Sequence, residues 1–196
     1  MTADRAARIA SEIFAPAILV AALLLTVGWQ AGETPGVSRW WGLPGALFAA
    51  GIPLAYVLRG VRRGKLTNHH IPEREHRLIP LLFGIASVAA GLTALSFLGA
   101  PRDILALMAA GGAGLLIFTA VTHWWKMSIH AGVAAGTAAT LIAVYGVVAL
   151  VSVPFVVVAC WARVRLSAHT LAQVVAGALV GATIAATVFP ALREPL

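Results

Sequence analysis

Residues 129–163 read IHAGVAAGTAATLIAVYGVVALVSVPFVVVACWAR, with no charged residue between His130 and Arg163. A straight helix over this run would be about 50 Å long at 1.5 Å per residue, whereas the hydrocarbon core of a bilayer is about 30 Å thick. One span cannot hold it. Two spans can, with a turn near 151–154, where Pro154 removes a backbone donor among β-branched valines.

The rest of the chain has the same texture. It has 196 residues, of which 60% are hydrophobic and 11% charged, with a mean hydropathy of +0.91. A soluble domain of this size would need far more polar surface. Apolar runs near 13–29, 41–58, 79–98, 104–121, 130–150, 152–162 and 169–190 predict an all-α integral membrane protein. The expected form is a bundle of six or seven transmembrane helices in one polytopic domain over 1–196. The first run lacks a small-x-small cleavage pattern and reads as a span. Tryptophans 29, 40, 41, 124, 125 and 161 fall near span ends, as in an interfacial belt. Gly132 with Gly136, and Gly177 with Gly181, form two G-x-x-x-G pairs suited to close helix packing.

Seven spans put the N-terminus and the loops near 59–78, 122–129 and 163–168 on one side. That side receives Arg5, Arg8, Arg59, Arg62, Arg63, Lys65, Arg74, Arg77, Lys126, Arg163 and Arg165; the other has Arg39, Arg102 and Arg193. The positive-inside rule makes the first side cytoplasmic at a cell membrane. The net charge of +7 sits in loops beside apolar spans, which favours membrane lipids or phosphate over nucleic acid. A single cysteine, Cys160, excludes an internal disulfide and a multi-cysteine zinc site.

All six histidines, at 69, 70, 76, 123, 130 and 169, map to the same side. Three short segments converge there: 65–80, 126–132 and 162–173. Arg74, Arg77, Lys126 and Arg163 offer donors for a phosphate. His130 and His169 stand at helix starts, where one can attack phosphorus while the other protonates a leaving oxygen. Gln173, four residues after His169, shares its helix face and can orient the ring. Blander readings stand beside these. Lys126 next to Trp124 and Trp125 is also a plausible interface anchor, and Ser167 is read as the cap of the last helix. Glu73 and Glu75 lack an aspartate-rich magnesium signature, and His69 and His76 lack regular zinc spacing, so no metal or cofactor is expected.

The third segment resembles the last motif of the type 2 phosphatidic acid phosphatase (PAP2) superfamily, Ser-Arg-x5-His-x3-Asp. Arg163 and His169 stand at the arginine and histidine, Ala162 at the serine and Gln173 at the aspartate. The second is similar to Pro-Ser-Gly-His, keeping Ser128 and His130 around Ile129 and after Met127. The first resembles Lys-x6-Arg-Pro, with His70 at the lysine, Arg77 at the arginine and Leu78 at the proline. The resemblance covers about 65–181. It implies a helical bundle that hydrolyses a lipid or isoprenoid phosphate or diphosphate without metal, through a phosphohistidine. His169 would then be the nucleophile, His130 the general acid, Arg77 and Arg163 the phosphate clamp, and Ser128 a hydrogen-bond donor to phosphate. Two other readings compete. One is a lipid-phosphate-binding protein without turnover, motivated by positions 70, 129, 162 and 173. The other is a magnesium-dependent prenyl-diphosphate transferase or cyclase, against which the missing aspartate-rich motifs weigh.

Overall fold

A computed structural model describes residues 2–71, 73 and 75–194; Arg74 lies outside the described residues. Among the described residues there are helices and no strands. The helices are α1 (Ala3–Ile13), α2 (Pro16–Ala31), α3 (Gly42–Ala46), α4 (Ile52–Arg62), α5 (Leu78–Phe97), α6 (Arg102–Thr122), α7 (Ile129–Tyr145), α8 (Val153–Arg165) and α9 (Leu171–Arg193). Five stretches are long and apolar enough to cross a membrane, or six if α1 and α2, bent by 46°, form one span. The outer surface agrees with this: Phe97 is 89% and Val148 77% exposed, which water would penalise and lipid would not.

One of the five stretches, Ile129–Arg165, folds back on itself. The chain reverses through a 3₁₀ turn at Gly146–Ser152 and α8 returns along α7. The reversal begins earlier than the expected 151–154. Gly146 sits at φ +69°, a conformation that favours glycine, and the proline falls instead in the first turn of α8, where a missing N–H costs nothing.

Between α3 and α4 the backbone widens into one π turn at Leu47–Gly51. The residue five beyond Phe48 is Pro53, which has no N–H to give. Ser87 of α5 donates its hydroxyl to the Phe48 carbonyl instead, at 2.6 Å.

The main apolar core lies in the half of the bundle away from the histidines, around Leu24, Val27, Leu95, Ile104, Met108 and Phe189. The helix starts and ends carrying polar residues gather at the other pole. What joins the two halves is α7 against α9. A Cβ at Gly181 would fall on the Gly132 carbonyl oxygen, one at Gly177 on the Ser128 carbonyl oxygen, and one at Gly136 would lie 3.2 Å from the Gly181 oxygen. The two glycine pairs therefore mesh with each other, backbone to backbone.

α1 is amphipathic and buries Ala7, Ala10 and Ser11 against Ala162 and Leu166 of the α8 end. The last helix begins at Leu171. Its cap is Thr170 rather than Ser167: Thr170 Oγ1 accepts the Gln173 N–H at 3.3 Å, and Gln173 Oε1 accepts the Thr170 N–H at 3.1 Å. Ser167 instead adopts φ +53° in the preceding turn.

Gly181→Ala is expected to destabilise the protein by about 1–3 kcal/mol through overpacking. Gly111→Ala, where a Cβ meets nothing within 4 Å, should stay within about 0.5 kcal/mol of the parent. Thermal unfolding in detergent micelles compares them; equal midpoints would mean that α7 and α9 do not approach this closely.

Candidate phosphate site

Ser128 fixes the first side of the site. Its Oγ accepts the Ala131 N–H at 3.3 Å, capping α7, and its N–H donates to the Gln173 carbonyl at 3.1 Å, tying α7 to α9. His130 therefore sits in the first turn of α7. His169 precedes α9, held by its N–H to the Arg163 carbonyl at 3.3 Å. Arg163 lies in the last turn of α8, and Arg77 immediately precedes α5.

These four side chains meet. His70, Arg77, His130, Arg163 and His169 line one cavity of about 230 Å³, together with His69. Arg77 is 4% exposed, Arg163 5%, and His130 and His169 7% each. Among the described residues neither guanidinium has an ion pair with a carboxylate, and a buried charge without one is costly. Their hydrogen bonds aim them. Arg77 Nε donates to the Ile71 carbonyl at 2.8 Å, and Arg163 Nη1 donates to Ser11 Oγ at 3.2 Å. Arg163 Nε and His130 Nε2 are buried without a hydrogen-bond partner.

The tautomer of His169 follows from its neighbours. Nδ1 lies 3.2 Å from the Lys126 carbonyl oxygen and 3.3 Å from Gln173 Oε1. The amide orientation is not free, because the same Oε1 accepts the Thr170 N–H. Both neighbours of Nδ1 are therefore acceptors, so Nδ1 carries the hydrogen and Nε2 keeps its lone pair. Burial, with Arg77 and Arg163 alongside, holds the imidazole down to about 4 against an ordinary value of 6.5. At neutral pH it is an uncharged base.

His70 is tied to Glu12: its Nε2 lies 2.9 Å from Glu12 Oε1, and its ring meets His130 edge-on with centroids 5.1 Å apart. Burial lowers its pKa against the opposing Glu12 bond. Lys126 contributes its carbonyl to His169. Its ammonium is lowered by burial and by Arg77 and Arg163, and it lies outside the cavity lining. Ser128 and Gln173 also lie behind the lining, the first as a fully buried cap and the second as the His169 support. Of the remaining histidines, His76 faces Glu73 at 4.0 Å and His123 packs against Trp124, both away from the cavity.

Two contributors escaped the sequence reading, Ser11 and Glu12. The signal was present in 3–13, where Ala7, Ala10 and Ser11 recur at three and four residues, marking a helix that docks one small-residue face. Comparison with protein-family models, with curated proteins and with solved structures finds no match to this chain.

The position of His169 titration tests this arrangement. In ¹³C-histidine-labelled protein, its ring is expected to titrate well below 6.5, near 4, with the assignment made by loss of the signal in His169→Gln. In Arg77→Gln the midpoint should move up toward 6.5, because removing a neighbouring positive charge makes protonation easier. A wild-type midpoint at or above 6.5 would mean that the ring is not enclosed beside the two arginines.

Proposed function

We propose that this chain is a membrane phosphatase that hydrolyses a lipid or isoprenoid phosphate or diphosphate through a phosphohistidine at His169, on the fold of the PAP2 superfamily. The observation carrying this reading is the convergence on one cavity of two imidazoles with two buried guanidinium groups, neither of which is ion-paired among the described residues. The resemblance of 162–173 and 126–132 to the family's motifs supports it independently.

In the proposed reaction the phosphate oxygens lie between Arg77 and Arg163, which neutralise charge as the bond to phosphorus changes. His169 Nε2 attacks phosphorus, the bond from phosphorus to the lipid oxygen breaks, and His130 gives that oxygen a proton. Water oxygen then attacks phosphorus while His130 takes the water's proton; the phosphorus–nitrogen bond breaks, its electron pair returns to His169 Nε2, and phosphate leaves. Gln173 and the Lys126 carbonyl hold the Nδ1 hydrogen throughout, so the attacking lone pair stays aimed. No bond-making step requires a metal.

The lipid tail has room on the same side. Val20, Ala49, Leu115, Ile129 and Val133 line both the site cavity and an apolar space of about 140 Å³ that continues into the bundle. The crowding of basic residues at this pole supports a cytoplasmic placement of the site at a cell membrane under the positive-inside rule. Substrates would then reach it from the cytoplasmic leaflet.

One observation favours a second reading, a lipid-phosphate-binding protein with little turnover: the group behind His169 is a neutral amide. A carboxylate there would stabilise a positively charged imidazole intermediate more strongly, by about 1–1.5 kcal/mol for a charged over a neutral hydrogen bond.

A phosphate-release assay in magnesium-free buffer, on a prenyl phosphate and a diacylglycerol phosphate, separates the readings. His169→Ala is expected to abolish release and His130→Ala to lower it by roughly 10²–10⁴-fold. Gln173→Glu, of equal reach, should raise it by about tenfold. Release that is unchanged in His169→Ala would sink the phosphohistidine, and binding without turnover by the wild type would leave the second reading.

A further inference from the structure

Beside the anion site, three side chains from distant parts of the chain point at one spot. His69 Nε2 lies 3.0 Å from Glu12 Oε2, and His70 Nε2 lies 2.9 Å from Glu12 Oε1. All three donor atoms fall within 4.8 Å of one another. Two come from the 63–77 loop and the third from the last turn of α1. We propose that Glu12, His69 and His70 bind one divalent transition-metal ion of the zinc class at the rim of the phosphate cavity.

The donor set selects the ion. Two imidazoles and a carboxylate suit zinc and its neighbours, whereas magnesium prefers oxygen ligands and retained water. Zinc takes imidazole nitrogen and carboxylate oxygen at about 2.0–2.2 Å, which sets tetrahedral donors about 3.3–3.6 Å apart. The observed spacings need only small side-chain rotations to reach this. On binding, each ring's hydrogen resides on Nδ1 and Nε2 offers its lone pair, so no proton need be lost from either imidazole.

The surroundings fit an ion that is not fully enclosed by protein. Three protein ligands leave at least one coordination position for water or a phosphate oxygen. His69 and His70 both line the cavity that Arg77 and Arg163 share. One carboxylate cancels half of the ion's charge, leaving a net positive rim suited to a phosphate of high charge. The backbone next to the pair is strained: Ile71, β-branched, has φ +44°. Such a conformation persists only where neighbouring contacts over-determine it. Asn68 Oδ1 accepts the His70 N–H at 2.9 Å and Arg77 Nε holds the Ile71 carbonyl; a metal joining His69 and His70 to α1 would add the remaining restraint.

Metal binding by these three side chains does not depend on whether His169 turns over a phosphate, so the experiment reads metal rather than activity. The full chain in detergent is stripped with chelator, dialysed against micromolar zinc chloride, and its metal content measured by mass spectrometry. One zinc per chain is expected for wild type and for His169→Ala. His69→Ala and Glu12→Gln should each fall to the level of a metal-free control, with circular dichroism and gel filtration showing that both remain folded. Cobalt substitution gives a second readout: the visible bands of a low-coordinate Co²⁺ site should appear in wild type and vanish in both variants. Wild type without stoichiometric metal, or Glu12→Gln with full metal, would overturn the proposal and leave Glu12 as an acceptor for two imidazole N–H groups.

Discussion

The approach of α7 to α9, with glycine backbones in direct contact, is the constraint on which the polar pole depends. Gly132 and Gly136 mesh with Gly177 and Gly181, and the same contact brings Ser128 against Gly177. From that one docking follow the Ser128 N–H to the Gln173 carbonyl and the Lys126 carbonyl beside His169. His169 is therefore oriented by the segments leading into two helices that press together. Rigid placement of this kind is what positional catalysis requires, since small displacements of a reacting group are costly.

Around that anchor the electrostatics are unusual for a bundle so apolar. Two arginines are buried with hydrogen bonds to neutral oxygens, the Ile71 carbonyl and the Ser11 hydroxyl, and among the described residues no carboxylate lines their cavity. Three acidic groups of this pole have partners outside the lining: Glu12 is turned to the two loop histidines, Glu73 accepts from Thr67, and Asp4 pairs with Arg165 on the surface. Segregating acids from the cavity keeps its positive potential, while the neutral His169 avoids adding to the repulsion. Gln173 serves both ends of this scheme, closing the α9 capping box and accepting from His169 with one oxygen.

Much of the fold was legible in the sequence because apolar run length is set by the bilayer and little else. The runs at 41–58, 79–98, 104–121 and 169–190 match apolar helical stretches to within a few residues, but five or six such stretches stand where six or seven are expected; the fold-back of 129–163 follows from length alone. The turn was misplaced because Pro154 looks like a breaker, yet in a first helical turn it is harmless, while Gly146 supplies the conformation that reversal needs. Ser167 looked like a cap because it precedes the apolar periodicity. Thr170 does the capping, since its partner Gln173 completes a reciprocal pair. The grouping of His70, Arg77, His130, Arg163 and His169 was readable from topology and motif spacing. Glu12 and Ser11 were not, because their roles depend on where an amphipathic helix docks, a tertiary matter that local pattern does not encode. The division of labour between Lys126's carbonyl and its ammonium was likewise invisible, since sequence names the side chain and not the backbone atom.

The docking of α1 has a temporal corollary. Arg163 takes its hydroxyl partner from Ser11, 152 residues earlier in the chain, and His70 takes its carboxylate from Glu12, 58 residues earlier. Glu12 can meet its histidines once the 63–77 loop has been made, whereas Ser11 has no Arg163 until α8 follows. A ribosome-bound intermediate lacking α8 and α9 has neither Arg163 nor His169, so the set of side chains around the cavity is completed only after α7 has been made.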